Sequence, residues 1–158
     1  MKSSNPSIYE KLIIESADGT KTADISAGAF LVSYYENLFS PIVTAKIVVI
    51  NTGDSIKGKD GKMQSLYNGF PLRGGERVVL KISGNSKPNK EGLDFSKDPK
   101  DYFYVASITN VLIDSGKETF TLNLVPREAI TNETTRVGKK FPSSQPISDS
   151  VENILKDY

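Results

Sequence analysis

Residues 42–50 read Ile42-Val43-Thr44-Ala45-Lys46-Ile47-Val48-Val49-Ile50. Val43, Ala45, Ile47 and Val49 form one wholly apolar row. Ile42, Thr44, Lys46, Val48 and Ile50 form a mixed row. A period of two is the signature of a strand, with one face buried and the other half covered. Asn51-Thr52-Gly53 ends the run. This strand commits the chain to a sheet-based core, and the flanking sequence agrees with it.

Upstream, residues 1–7 read as a polar arm. Residues 8–15 read as a strand in which Ile8, Leu12 and Ile14 share a parity and Glu10 is the exception. Ala17-Asp18-Gly19-Thr20 is a turn, because Asp-Gly tolerates positive φ. Residues 20–26 and 30–35 continue as strands, and Leu38-Phe39-Ser40-Pro41 breaks the second. Downstream, residues 54–69 form a Gly/Lys/Asp-rich loop with a short helix near Met63, Leu66 and Tyr67. Val78, Leu80 and Ile82 alternate inward along residues 77–83. Residues 84–100 read as a second long loop. Residues 102–114 and 118–125 form a hairpin about Ser115-Gly116-Lys117, with Phe120, Leu122 and Leu124 on one face. Pro126 can open a helix over residues 127–137, closed by Gly138. A last amphipathic helix begins near Ser148 or Asp149, where Asp149 and Glu152 have capping-box spacing. The expected fold is mainly β with added helices: a tube-type β-barrel or two-sheet domain, a short helix after the last hairpin, and a C-terminal helix. Residues 1–140 are expected to form the β domain. Residues 141–158 read as a linker and the start of a helix that docks on a neighbour or leads into a further domain.

Composition narrows the chemistry. The 158 residues favour one domain, large enough to fold without staples. Cysteine and histidine are absent, which removes disulfides, thiol nucleophiles, Ser-His-Asp triads and the usual zinc sites. Twenty basic and nineteen acidic residues give a net charge of +1, without the basic excess of a dedicated duplex-DNA binder. The N-terminus has no apolar signal core and no stretch is long enough to span a bilayer. The chain reads as non-enzymatic, made in the cytoplasm, with no cofactor, no metal and no direct membrane insertion.

Three segments then carry a resemblance. They are Tyr35-Glu36-Asn37-Leu38-Phe39-Ser40-Pro41 leading into residues 42–50, Phe70-Pro71-Leu72-Arg73-Gly74-Gly75-Glu76-Arg77-Val78, and Leu122-Asn123-Leu124-Val125-Pro126-Arg127-Glu128-Ala129-Ile130-Thr131-Asn132. In this order they resemble the N-terminal tube domain of baseplate hub proteins of T4-like contractile-tail bacteriophages. The stretch from Phe141-Pro142 to Ile154-Leu155 also resembles that family. The resemblance implies a structural virion protein of the tail baseplate. Such a subunit joins a ring between the tail tube protein and the central spike protein, among other baseplate proteins, with DNA only as transient cargo in the lumen. It implies self-association as a homotrimer, or as a hexameric or pseudo-hexameric ring. Hub subunits normally contribute two tube domains, and this chain has room for one.

Within that frame Arg73, Gly74, Gly75, Glu76 and Arg77, with Lys46, Lys57 and Lys59, are the candidate subunit-interface residues. Gly74-Gly75 permits a turn that a Cβ would forbid. The flanking charges can pair across a boundary, since the Arg fork fits carboxylates. The same residues also read as a hairpin entry with solvated pairs, worth about 0–1 kcal/mol each. Phosphate-loop spacing is missing around Gly74-Gly75. Asp54 and Asp60 lack calcium-loop spacing, and the 57–62 loop also reads as simply solvated. Tyr34, Tyr35, Tyr102, Phe103 and Tyr104 could stack bases, but strand neighbours face opposite ways. The alternative to a ring subunit is a small β-barrel binding module that recognises a ligand or nucleic acid through its loops. A third class, a carboxylate-dependent hydrolase, needs paired acids in a cleft.

Overall fold

The computed structural model describes residues 7–53, 56–57, 61–70, 72–84 and 92–157. Its strands are β1 Ile8–Glu15, β2 Thr22–Asp24, β3 Ala29–Tyr35, β4 Thr44–Thr52, β5 Ile56–Lys57, β6 Met63–Gln64, β7 Arg77–Ser83, β8 Leu93–Asp94, β9 Phe103–Asp114 and β10 Lys117–Pro126. Helix α1 spans Leu66–Gly69, α2 Arg127–Thr134 and α3 Ile147–Asp157. The mainly β expectation holds, with a short helix after the last hairpin and a C-terminal helix.

Alternation sets the core. Ala45, Ile47 and Val49 of β4 point inward, as do Leu12 and Ile14 of β1, Val78 and Leu80 of β7, Phe103 and Val105 of β9, and Phe120, Leu122 and Leu124 of β10. Burying each large apolar side chain stabilises by about 1.5–3 kcal/mol. Glu10 breaks the parity of β1 because the pairing with β7 bulges between Tyr9 and Lys11. That bulge sends the carboxylate outward to Lys81 Nζ at 2.5 Å.

The main sheet is antiparallel, in the order β2-β1-β7-β9-β10-β4-β3, with β8 added beside β7. Its two ends, β2 and β3, are consecutive in the chain and joined only by residues 25–28. A linker this short forces the sheet to curl until its ends approach. Ile25 is buried and donates its N–H to Leu12 O at 2.9 Å. Gly28 follows in a 3-10 turn so close to β4 that a Cβ there would lie 2.9 Å from Ile50 O.

The sheet stops short of a closed barrel. β3 faces β7 and β8 across a notch of about 190 Å³, lined by Val32, Tyr34, Ile82 and Leu93. Side chains span the gap where backbone bonds do not. Tyr34 lies 5.8 Å from Phe95, and Phe95 meets Phe103 edge-on at 5.0 Å.

Boundaries differ from the sequence expectation where side chains intervene. β4 begins at Thr44 because Ser40 Oγ donates to Ile42 O and holds residues 40–42 in a turn. α2 ends at Thr134 rather than continuing to Val137 and Gly138. The Arg136 guanidinium donates to the carbonyls of Asn132, Glu133 and Thr135 and takes over the C-terminal acceptors. Asp149 lies in the first turn of α3, not at its cap. The loops expected at 54–69 and 84–100 contain β5, β6 and β8, two-residue pairings too short to carry a period. Apart from Ser7, the expected N-terminal arm lies outside the described residues.

Candidate assembly edge

The Arg73–Arg77 turn is built around a buried acid. Gly74 and Gly75 hold φ of 99° and 87°, where an L side chain is strained. The turn points two amides inward. Glu76, 0% exposed, receives the N–H of Arg73 at 2.6 Å on Oε1 and that of Gly74 at 2.9 Å on Oε2. Gly75 N–H donates to Val105 O at 2.7 Å, and Val105 N–H returns a bond to Glu76 O at 2.9 Å. Glu76 is thus part of the turn's interior and presents no charge to a surface. Arg77 pairs with Glu15 of β1 at 2.9 Å, within its own chain. Arg73 is exposed.

The remaining candidates lie elsewhere. Lys46 is exposed on the outer face of β4, beside Ser33 and Asn123 in register. Lys57 is exposed on β5, opposite Met63. Lys59 lies outside the described residues, as do Asp54 and Asp60. The sheet therefore groups Arg73 through Arg77 at one turn and does not bring Lys46 or Lys57 into register with them.

What the sequence reading missed is the far part of β9. Phe103 and Tyr104 pair with β7, and Val105 with the Glu76 turn. From residue 106 to 114 only β10 is paired; among the described residues no strand lies on the other side. Leu112 is 70% exposed and Ile113 55%. A β-bulge between Thr119 and Thr121, with Asn110 at φ 54°, bends this arm. Asn123 Nδ2 braces it by donating to Ser107 Oγ and Thr109 Oγ1, both at 3.1 Å. A two-residue turn, Ser115 at φ 40° and Gly116 at 83°, closes the hairpin. The available signal was the apolar triplet Val111-Leu112-Ile113, which has no polar alternation.

β3 is the second free edge. It pairs with β4 alone among the described residues, and Phe30 is 73% exposed.

Titratable groups near these edges serve the fold. Glu118 is buried and accepts from Asn51 Nδ2 at 2.8 Å and from the α1 amide of Tyr67 at 2.9 Å, both on Oε1. Its Oε2 has no hydrogen-bond partner among the described residues. Asp18 is held at about 2, chiefly by the Ser16 hydroxyl and then by the Thr20 amide and hydroxyl. Both buried glutamates, Glu76 and Glu118, are bonded to backbone amides of their own chain. Among the described residues no cluster of acids could hold a metal ion, and no helix is long and apolar enough to cross a membrane.

No known protein family, no curated protein and no solved structure matches this chain.

Proposed function

We propose that this chain is a structural, non-enzymatic subunit of a phage tail hub that builds a ring by extending its sheet from copy to copy. The observation that carries the reading is the arm at residues 106–114: an edge with unpaired backbone groups, flanked by exposed Val111, Leu112 and Ile113. Soluble proteins blunt such edges, because an open apolar strand recruits another strand. Among the described residues it is left open over nine consecutive positions, since β9 runs for 12 residues and, among those residues, only its first three are bonded on both sides. Strand addition uses backbone bonds for affinity and alternate side chains for register.

The free edge of β3 supplies the complementary surface. A contact between two different surfaces of one chain is heterologous, and it closes into a ring when the rotation permits. The resemblance to hub tube domains supplies the setting: a ring between tail tube and spike in the virion baseplate, with DNA passing through the lumen.

Mass photometry and negative-stain imaging test this on the purified chain, alone and with a tail tube or spike partner. Annular particles of three or more copies are expected. A monomer at micromolar concentration, with no ring on either partner, removes the proposal. Titration with DNA at two salt concentrations separates it from the binding-module alternative, which predicts a monomer and a steep loss of affinity with salt.

A further inference from the structure

Two orphan apolar features remain at one end of the sheet. The first is the β3–β4 connection. Leu38 is 100% exposed and Phe39 is 96% exposed. They do not hang on a slack loop. Asn37 Oδ1 accepts the Phe39 N–H at 2.9 Å, Asn37 O accepts the Ser40 N–H at 3.0 Å, and Ser40 Oγ donates to Ile42 O at 2.8 Å. Two large side chains are presented to water on a preformed turn, which lowers the ordering cost of docking.

The second is a groove of about 690 Å³ between α2 and α3. Val137, Ile154 and Leu155 line it, with Thr131 of α2, and Lys100 and Arg127 contribute charge. Neither helix buries a single residue in the core.

We propose that the Leu38–Phe39 tip of one copy seats in the groove between α2 and α3 of the next copy. Charge agrees. Residues 34–45 carry one charged side chain, Glu36, which faces a groove whose charged residues are Lys100, Arg127 and Glu128, net +1. Topology agrees as well, and here the inference rests on the sheet-extension reading. Every pairing in the sheet is antiparallel. If β3 joins the β9 arm in the same sense, its Tyr35 end meets the residue-106 end of the arm. That end lies nearest Phe103, whose partner across the ladder is Pro126, the residue before α2. The tip following Tyr35 then lies at the same end of the neighbour's sheet as its groove, and leaves the ladder at the Glu76 turn, which already bonds Val105 on that edge.

The chain has no cysteine of its own, so a Phe39→Cys/Leu155→Cys double variant reports the contact directly. Both positions are largely exposed, and the fold is checked by an unchanged melting temperature. Mild oxidation is expected to give a ladder of disulfide-linked multimers on a non-reducing gel, because a bridge forms only where the two Cα atoms come within about 7 Å. Phe39→Cys alone should stop at traces of dimer. A fast-migrating, internally bridged monomer overturns the inference, since the tip would then fill its own groove. No bridge in a preparation that still forms rings by mass photometry also overturns it and leaves the ring reading standing. No bridge and no ring removes both. Independently, Phe39→Ser should raise the concentration for half-assembly on the order of 30-fold, the affinity equivalent of leaving one large apolar side chain in water. Glu36→Arg should weaken assembly, and Arg127→Glu in the same chain should restore it. Failure of that rescue counts against the charge pairing on which the choice of occupant rests.

Discussion

The two parts of β9 form one strand and differ in everything around it. At Phe103 and Val105 the backbone is bonded on both sides and the side chains are 1% and 2% exposed. From residue 106 onward the same strand keeps β10, has no second neighbour among the described residues and carries Leu112 at 70% exposure. Both parts are rich in β-formers. The difference teaches that a strand's role is set by what lies on its two edges, and that an apolar side chain can serve stability in one half and recognition in the other.

Substitutions in the two halves should therefore separate folding from assembly. The largest effect belongs to Phe103→Ala, which empties the contact with Phe95 and the centre of the core. It should destabilise the monomer by about 3–5 kcal/mol, read as a lower urea midpoint at unchanged slope.

Next comes Glu76→Ala, at the turn that bonds the buried half of β9. It strands the inward amides of Arg73 and Gly74 and should cost about 1–3 kcal/mol in the same assay. A cost near zero would mean that water replaces the carboxylate, and that the turn is not what limits the buried half.

Leu112→Lys on the free half should leave monomer stability within about 0.5 kcal/mol. It should abolish ring formation by mass photometry, because a lysine on the open edge is a natural block to strand addition. Assembly that survives this change would break the comparison.

The smallest effect is the pH response of the exposed turn after β1. Asp18 is held near 2, below its ordinary 3.8, by the Ser16 and Thr20 hydrogen bonds. Its folded pKa is depressed, so its contribution is present above about pH 4 and is lost as the pH falls toward 2. Asp18→Asn should lower the melting temperature slightly at pH 7, where the contribution is present, and should flatten its pH dependence so that the two proteins converge as the pH falls toward 2. Asp24, also held low by Ser26, adds a second contribution of the same sign.

Much of the fold was legible in local pattern. The rows Val43-Ala45-Ile47-Val49, Val78-Leu80 and Phe120-Leu122-Leu124 state a strand and its inward face in a few residues, because adjacent side chains must point oppositely. The Ser115-Gly116 turn and the Pro126 helix start were legible for the same local reason. The surface was read less well. Glu76 looked like a boundary charge because charge favours exposure, yet the Gly74-Gly75 turn directs amides inward and they require an acceptor. Leu38 and Phe39 read as a strand break, and only their exposure identifies them as a tip. Residues 111–113 read as ordinary strand.

By itself, then, the order of amino acids determined which stretches are strands, which side of each is apolar, and where turns and helices begin. Those properties depend on neighbours within a few positions. Which strands lie side by side, that the sheet curls without closing, and that β3 and the far part of β9 keep one edge open among the described residues were decided only in the folded molecule. Ladder partners there are contributed by residues distant in the chain, and no local pattern specifies which of them will be missing.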